Sequence, residues 1–177
     1  MPLCARCTGI YIGAFFAFCF FFWKKRLQAG KPFSLNQAVL TVLAIIPFGM
    51  DGLGSYLGFW ESSQLMRILT GSLVGAIVPG FLLMAGNFDP KRENTEWIYR
   101  NSMELMILMI ISVVFGLLLW AGLPLYGIGS VISVAGEITL WGGVVWLLLK
   151  SLCRKDLWKI SILTAFVVLF VAGGVVS

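Results

Sequence analysis

Histidine is absent from all 177 residues. A Ser-His-Asp triad, an imidazole-ligated metal centre and a covalently held c-type haem are excluded in their usual forms, because each needs an imidazole. Charge is scarce as well. Asp, Glu, Lys and Arg make up 12% of the chain, and neither a phosphate-binding loop nor a nucleophile elbow occurs. The four cysteines, at 4, 7, 19 and 153, are too dispersed for a disulfide framework. Low-complexity tracts and any stretch that reads as a soluble appendage are also missing.

What remains is apolar. Hydrophobic residues form 59% of the chain and the mean hydropathy is +0.95. A water-soluble fold of this length cannot hide so much apolar surface. Six continuous apolar runs are legible, at Thr8 to Trp23, Gln37 to Trp60, Leu65 to Gly86, Met103 to Ala121, Tyr126 to Leu149 and Leu157 to Val176. Each is close to the ~20 residues that cross a bilayer, and continuity in place of alternation excludes a β-barrel. The expected fold class is all-α, a polytopic membrane protein of about six transmembrane helices. It forms a single transmembrane helical domain over residues 1–177, with a motif-bearing half at 1–86 and helices four to six at 103–176.

The net charge of +5 is distributed as a membrane topology and not as a nucleic-acid patch. Lys24, Lys25, Arg26 and Lys31 follow run one, Lys91, Arg92 and Arg100 follow run three, and Lys150, Arg154, Lys155 and Lys159 follow run five. Only Arg6 and Arg67 fall on the opposite side. The positive-inside rule then puts both termini outside the cytoplasm, in a multi-pass protein of the cell membrane. The first run is a retained anchor, since its basic cluster follows the apolar core and no small-residue cleavage site is present. Trp60, Trp97 and Trp158 are expected as interface anchors, and the seven aromatics of Phe15 to Trp23 as lipid-facing bulk.

Polar groups inside such a chain are costly and mark candidate sites. Asp51 lies in Pro47-Phe48-Gly49-Met50-Asp51-Gly52-Leu53-Gly54, where a proline and three glycines are expected to interrupt the helix. An ion pair of Asp51 with Arg67 is the simplest expectation, and a polar site roofed by Glu61 the sharper one. Cys4 and Cys7 stand one helical turn apart beside Arg6, near a helix N-terminus that favours thiolate. A redox dithiol fits that spacing. Metal binding through Cys4 and Cys7 would need about two further donors, and small packing residues are the plain alternative. Glu137 lies mid-span with no cation at its depth, so it is a neutral carboxyl bonded to a neighbour or part of a polar path. Glu104 reads as an ordinary first-turn acid.

One partial repeat stands out. Arg6-Cys7-Thr8-Gly9 with Gly13, and Arg67 with Thr70, Gly71 and Gly75, each give an Arg, a Thr-Gly pair and a second glycine four residues later. Glycines at that spacing let two backbones approach, so runs one and three are expected to pack as a parallel pair.

The run Leu3-Cys4-Ala5-Arg6-Cys7-Thr8-Gly9-Ile10-Tyr11-Ile12-Gly13 resembles the signature of a prokaryotic family of predicted integral membrane proteins of unknown function. Asp51-Gly52, Ser63-Gln64, Arg67, Thr70, Gly71 and Gly75 resemble the second half of its pattern. The resemblance covers roughly residues 2–80. Members often carry a Cys-His pair and an Arg-Ser-Phe stretch ahead of this run, and the sequence here starts at Met1-Pro2 without them. The resemblance implies a membrane fold and an important outer site but names no reaction, enzyme class or cofactor.

The leading expectation is an extracytoplasmic dithiol or metal-binding site formed by Cys4, Arg6, Cys7, Asp51 and Arg67. It would serve redox or metal handling, or an accessory subunit. The alternatives are a small-solute or proton-coupled transporter or channel using Asp51 and Glu137, and a structural membrane partner without chemistry. The expected partners are the lipid bilayer and a membrane protein or second copy of the chain, with no nucleic acid.

Overall fold

A computed structural model describes residues 4–59, 61–88, 96–121 and 126–153. Five helices follow in order: α1 (Ala5–Trp23), α2 (Leu35–Tyr56), α3 (Gln64–Asn87), α4 (Ser102–Trp120) and α5 (Tyr126–Cys153). All five are long and apolar enough to cross a membrane. The sixth run, Trp60, Trp158 and the basic residues Lys91, Arg92, Arg154, Lys155 and Lys159 lie outside the described residues.

Local side chains set where the helices start. α1 begins at Ala5, three residues before the apolar run, because Cys4 takes the N-cap and its sulfur accepts the Cys7 amide at 3.2 Å. The Gln37 side chain accepts the Ser34 amide at 3.1 Å at the start of α2, and Ser63 Oγ accepts the Met66 amide at 3.3 Å at the start of α3. The interruption expected between Pro47 and Gly54 does not occur, and α2 runs unbroken through Pro47. A proline forfeits one backbone hydrogen bond, whereas an unwound segment facing lipid forfeits several.

The pairing of contacts gives the directions. Gly9 faces Ile68, Gly13 faces Ser72 and Gly75 faces Ile10, so α1 and α3 are parallel. Gly136 meets Tyr11 and Gly143 meets Phe18, seven residues further along both helices, so α5 is parallel to α1 as well. Asp51, late in α2, reaches Arg6, and Glu104, early in α4, reaches Arg26 just past α1, so α2 and α4 run the opposite way. α3 is the central element, packed on α1, α2, α4 and α5, and α1, its closest partner, also packs on α4 and α5.

The apolar core lies towards the Arg26 end. The stretch from Phe15 to Trp23 is not simply lipid-facing. Phe21 is fully buried, Phe16 meets Phe115 edge-on with ring centroids 5.3 Å apart, and only Phe22 and Trp23 are largely exposed. Those rings close around Tyr99, which the segment between α3 and α4 carries into the bundle beside Phe20, Phe21 and Phe33. The buried Gln37 side chain donates to the Tyr99 carbonyl at 3.0 Å, which ties the start of α2 to this plug. Glu104 does more than begin a helix, since it pairs with Arg26 at 2.7 Å and accepts the Arg100 amide at 2.9 Å. Asn87 donates to the Leu27 carbonyl at 2.8 Å and accepts from Lys150 at 3.2 Å. This end is fastened by polar links; the Cys4 end is organised differently.

Candidate functional site

At the Cys4 end, α1 and α3 touch backbone to backbone. A Cβ on Gly9 would lie 2.6 Å from the Ile68 carbonyl oxygen, and one on Gly71 would lie 2.5 Å from that of Arg6. Gly13 and Gly75 make the same approach one turn deeper. The two threonines share a local device, Thr8 Oγ1 donating to the Cys4 carbonyl at 3.2 Å and Thr70 Oγ1 to that of Met66 at 2.8 Å. Each hydroxyl is satisfied within its own helix, which leaves the glycine face free of polar side chains.

With its backbone held against Gly71, Arg6 sends its guanidinium across to α2. There it pairs with the Asp51 carboxylate and lies over the Phe48 ring, 5.7 Å from the centroid. The expected partner Arg67 is therefore replaced by Arg6. The reason is helical register. Arg67, Gly71 and Gly75 recur every four residues along one stripe of α3, which faces α1 and not α2. Among the described residues Arg67 joins no ion pair, and its Nε is buried without a hydrogen-bond partner. Glu61 is exposed and roofs nothing by way of an ion pair among the described residues. Asp51, at 6% exposure, is buried against the half-buried Arg6.

Cys4 and Cys7 lie on another face of α1. Their sulfurs are 2.7 Å apart, longer than the ~2.05 Å of a disulfide bond but within reach of one by a small torsional change. Both are free thiols; Cys4 is exposed and Cys7 half-buried. Partial burial opposes ionisation of Cys4. The hydrogen bonds it receives from the Cys7 side chain and from the Cys7 and Arg6 amides, with the Arg6 charge behind them, nevertheless hold its thiol below the ordinary value. A lowered value means more thiolate at neutral pH. Alkylation of Cys4 by iodoacetamide should therefore level off at a lower pH than that of a free thiol, and Cys7→Ala should move the inflection up. Mass spectrometry of the alkylated protein across pH reads both.

Among the described residues, no three His, Cys, Asp or Glu side chains converge as metal donors. Asp51 is taken by Arg6, and Cys19 lies exposed on α1 four turns below Cys4. Two sulfurs alone are half of a tetrahedral set, so metal binding at Cys4 and Cys7 lacks its remaining ligands among these residues.

Glu137 is half-buried on α5, next to Gly136, whose α-carbon abuts the Tyr11 carbonyl. Its charge bears on Cys7 and Tyr11 of α1. α2 and α5 share no packing face, so Asp51 and Glu137 lie on separate sides of α1. The sequence gives no warning of Ser133, one turn before Glu137, whose buried hydroxyl finds no partner among the described residues.

Five long apolar helices, two of them joined along a glycine seam, are the architecture of a multi-pass helical membrane protein. Residues 1–82 match a family described as "Predicted membrane protein (DUF2085)"; that stretch holds α1, α2 and most of α3. An uncharacterized protein of Methanothermobacter thermautotrophicus is 35% identical over 74 residues, which is 42% of this chain and 62% of that protein. An uncharacterized protein of Methanocaldococcus jannaschii is 31% identical over 83 residues, 47% of this chain and 51% of that protein. The match thus spans less than two thirds of either relative. No solved structure matches the chain.

Proposed function

We propose that Cys4 and Cys7 form a redox-active dithiol that exchanges electrons with disulfides at the outer face of the cell membrane. The observation that carries this reading is the 2.7 Å approach of an exposed, ionisation-prone sulfur to a half-buried one, across one turn at a helix start. In the reducing direction Cys4 thiolate attacks a sulfur of the substrate disulfide, and the partner's other sulfur leaves as a thiolate. Cys7 then attacks Cys4, the internal disulfide closes and the second partner sulfur departs. Two electrons pass from the dithiol to the substrate. The reverse sequence oxidises a partner dithiol.

The outer placement follows from charge. With six spans, the sixth at residues 157–176, eleven of thirteen Lys and Arg fall on the cytoplasmic side and both termini on the other. The whole chain is taken as one transmembrane domain. A transport path through Asp51 and Glu137 has less support, because the first is paired with Arg6 and the two lie on helices that do not pack together.

The test is equilibration of the protein in glutathione buffers of graded potential, followed by trapping with a maleimide. On intact cells the maleimide is a membrane-impermeant one. A Cys4–Cys7 disulfide that forms and reopens reversibly, with both thiols labelled from outside after reduction, is the expected result. Two cysteines that stay open to alkylation at every potential would overturn the reading.

A further inference from the structure

The face of α1 that carries Cys4 and Cys7 continues through Tyr11 to Phe18, and α5 covers it. Gly136 rests on the Tyr11 backbone, Gly143 abuts the Phe18 ring, and Trp141 donates to the Tyr11 hydroxyl. Because α1 and α5 run parallel, three residues back from the Gly136–Tyr11 contact bring Ser133 level with Thr8 and Cys7. Ser133 is 3% exposed and its hydroxyl is unpartnered among the described residues. Glu137 stands one turn further on the same side of α5, and among the described residues it joins no ion pair. A carboxylate at this depth is costly, and nothing in the packing of α5 requires it.

On the reading of Cys4 and Cys7 as a redox dithiol, we infer that Glu137 is the internal base of the pair, accepting the proton of Cys7 as the disulfide closes. In the mixed-disulfide state the Cys7 proton moves from sulfur to the Glu137 carboxylate. The Cys7 thiolate attacks Cys4 Sγ; the Cys4–Cys7 bond forms and the bond from Cys4 to the partner sulfur breaks. The partner leaves as a thiolate with the electron pair, and the carboxyl returns its proton to solvent or to that thiolate. The buried thiol needs such a base, because hydroxide from bulk water does not reach a half-buried sulfur readily. The other groups facing Glu137 are few. α1 offers Cys4, Cys7 and Tyr11 with Arg6 on its far flank, α3 has Arg67 as its one titratable side chain, and Lys150 lies at the far end of α5. Glu137 is the carboxylate on that side.

The aromatic disulfide 5,5′-dithiobis(2-nitrobenzoate) separates the two steps, with the full chain in lipid nanodiscs and Cys19 and Cys153 changed to serine. Attack by Cys4 releases one coloured thiolate, closure by Cys7 releases a second, and intact mass distinguishes the closed disulfide from a doubly labelled protein. Glu137→Gln should leave the first phase unchanged, which also checks that the protein is folded. It should slow the second by roughly 100-fold, the scale of general-base assistance. Glu137→Asp should retain most of the second phase. A second phase indifferent to Glu137→Gln would overturn the role of Glu137. Absence of closure in the natural sequence would instead overturn the dithiol reading on which it rests.

Discussion

Gly75→Leu is expected to leave no folded protein, while Gly49→Leu leaves the fold intact. The contrast isolates packing from composition, since both changes add the same apolar side chain to a helix interior. At Gly75 the new Cβ meets the backbone of Ile10, and at Gly49 it meets nothing within 4 Å. Extra methylenes among side chains cost roughly 1–3 kcal/mol because rotamers can shift. Backbone has no rotamer to change, so the two helices must separate. Separation breaks the approaches at Gly9, Gly13 and Gly71 together, because all four lie on one seam. In a bilayer this seam is held by close contact and not by exclusion of water, so a parted interface gains nothing in return. Thermal unfolding followed by size-exclusion chromatography in detergent reads the effect. A Gly75→Leu protein that elutes and melts like the parent would refute the seam as the organising contact.

The second large effect is at Arg6 and Asp51. Asp51→Ala leaves a half-buried guanidinium, 25% exposed, without its anion. Removing one member of a buried pair typically costs about 3–5 kcal/mol, whereas replacing both with apolar residues is often close to neutral. Asp51→Ala and Arg6→Met should each lower stability by that amount, and the two changes together should recover most of the loss. Unfolding of the four proteins completes the cycle. Additive single losses would mean that the two groups do not depend on each other. The outcome separates a purely architectural pair from one that also serves the thiols: if Arg6 supports Cys4, the double variant is stable and its Cys4 alkylates more slowly at neutral pH.

Helices that must cross a membrane are legible because each is a long apolar run, and glycines four apart say which faces of two helices lack side chains. Partners across those faces are harder to read. Arg6 and Arg67 start parallel helices at the same end, and either is long enough to reach a carboxylate on α2. Only the register of Gly71 against Arg6, which turns Arg67 towards α1, decides between them. Pro47 misleads for a different reason. Its local cost is real, but the bilayer penalises an opened helix more than a missing hydrogen bond. Ser133 carries no signal at all, since a serine in an apolar helix looks the same whether it bonds its own backbone or is buried without a partner among the described residues.

The position of α1 bears on biogenesis. It is made before the other four described helices, yet its seats are on ones made later: the glycine seam needs α3, and the Tyr11 contact needs Gly136 of α5. α1 and α2, adjacent in the chain, share little more than the Arg6–Asp51 pair. The hairpin of α1 and α2 therefore enters the membrane without a tertiary structure of its own. About thirty more residues, through the end of α3 at Asn87, must be made before α1 can dock on its glycine seam, which makes this interval the natural point for an insertion chaperone to act or for a truncated chain to be degraded.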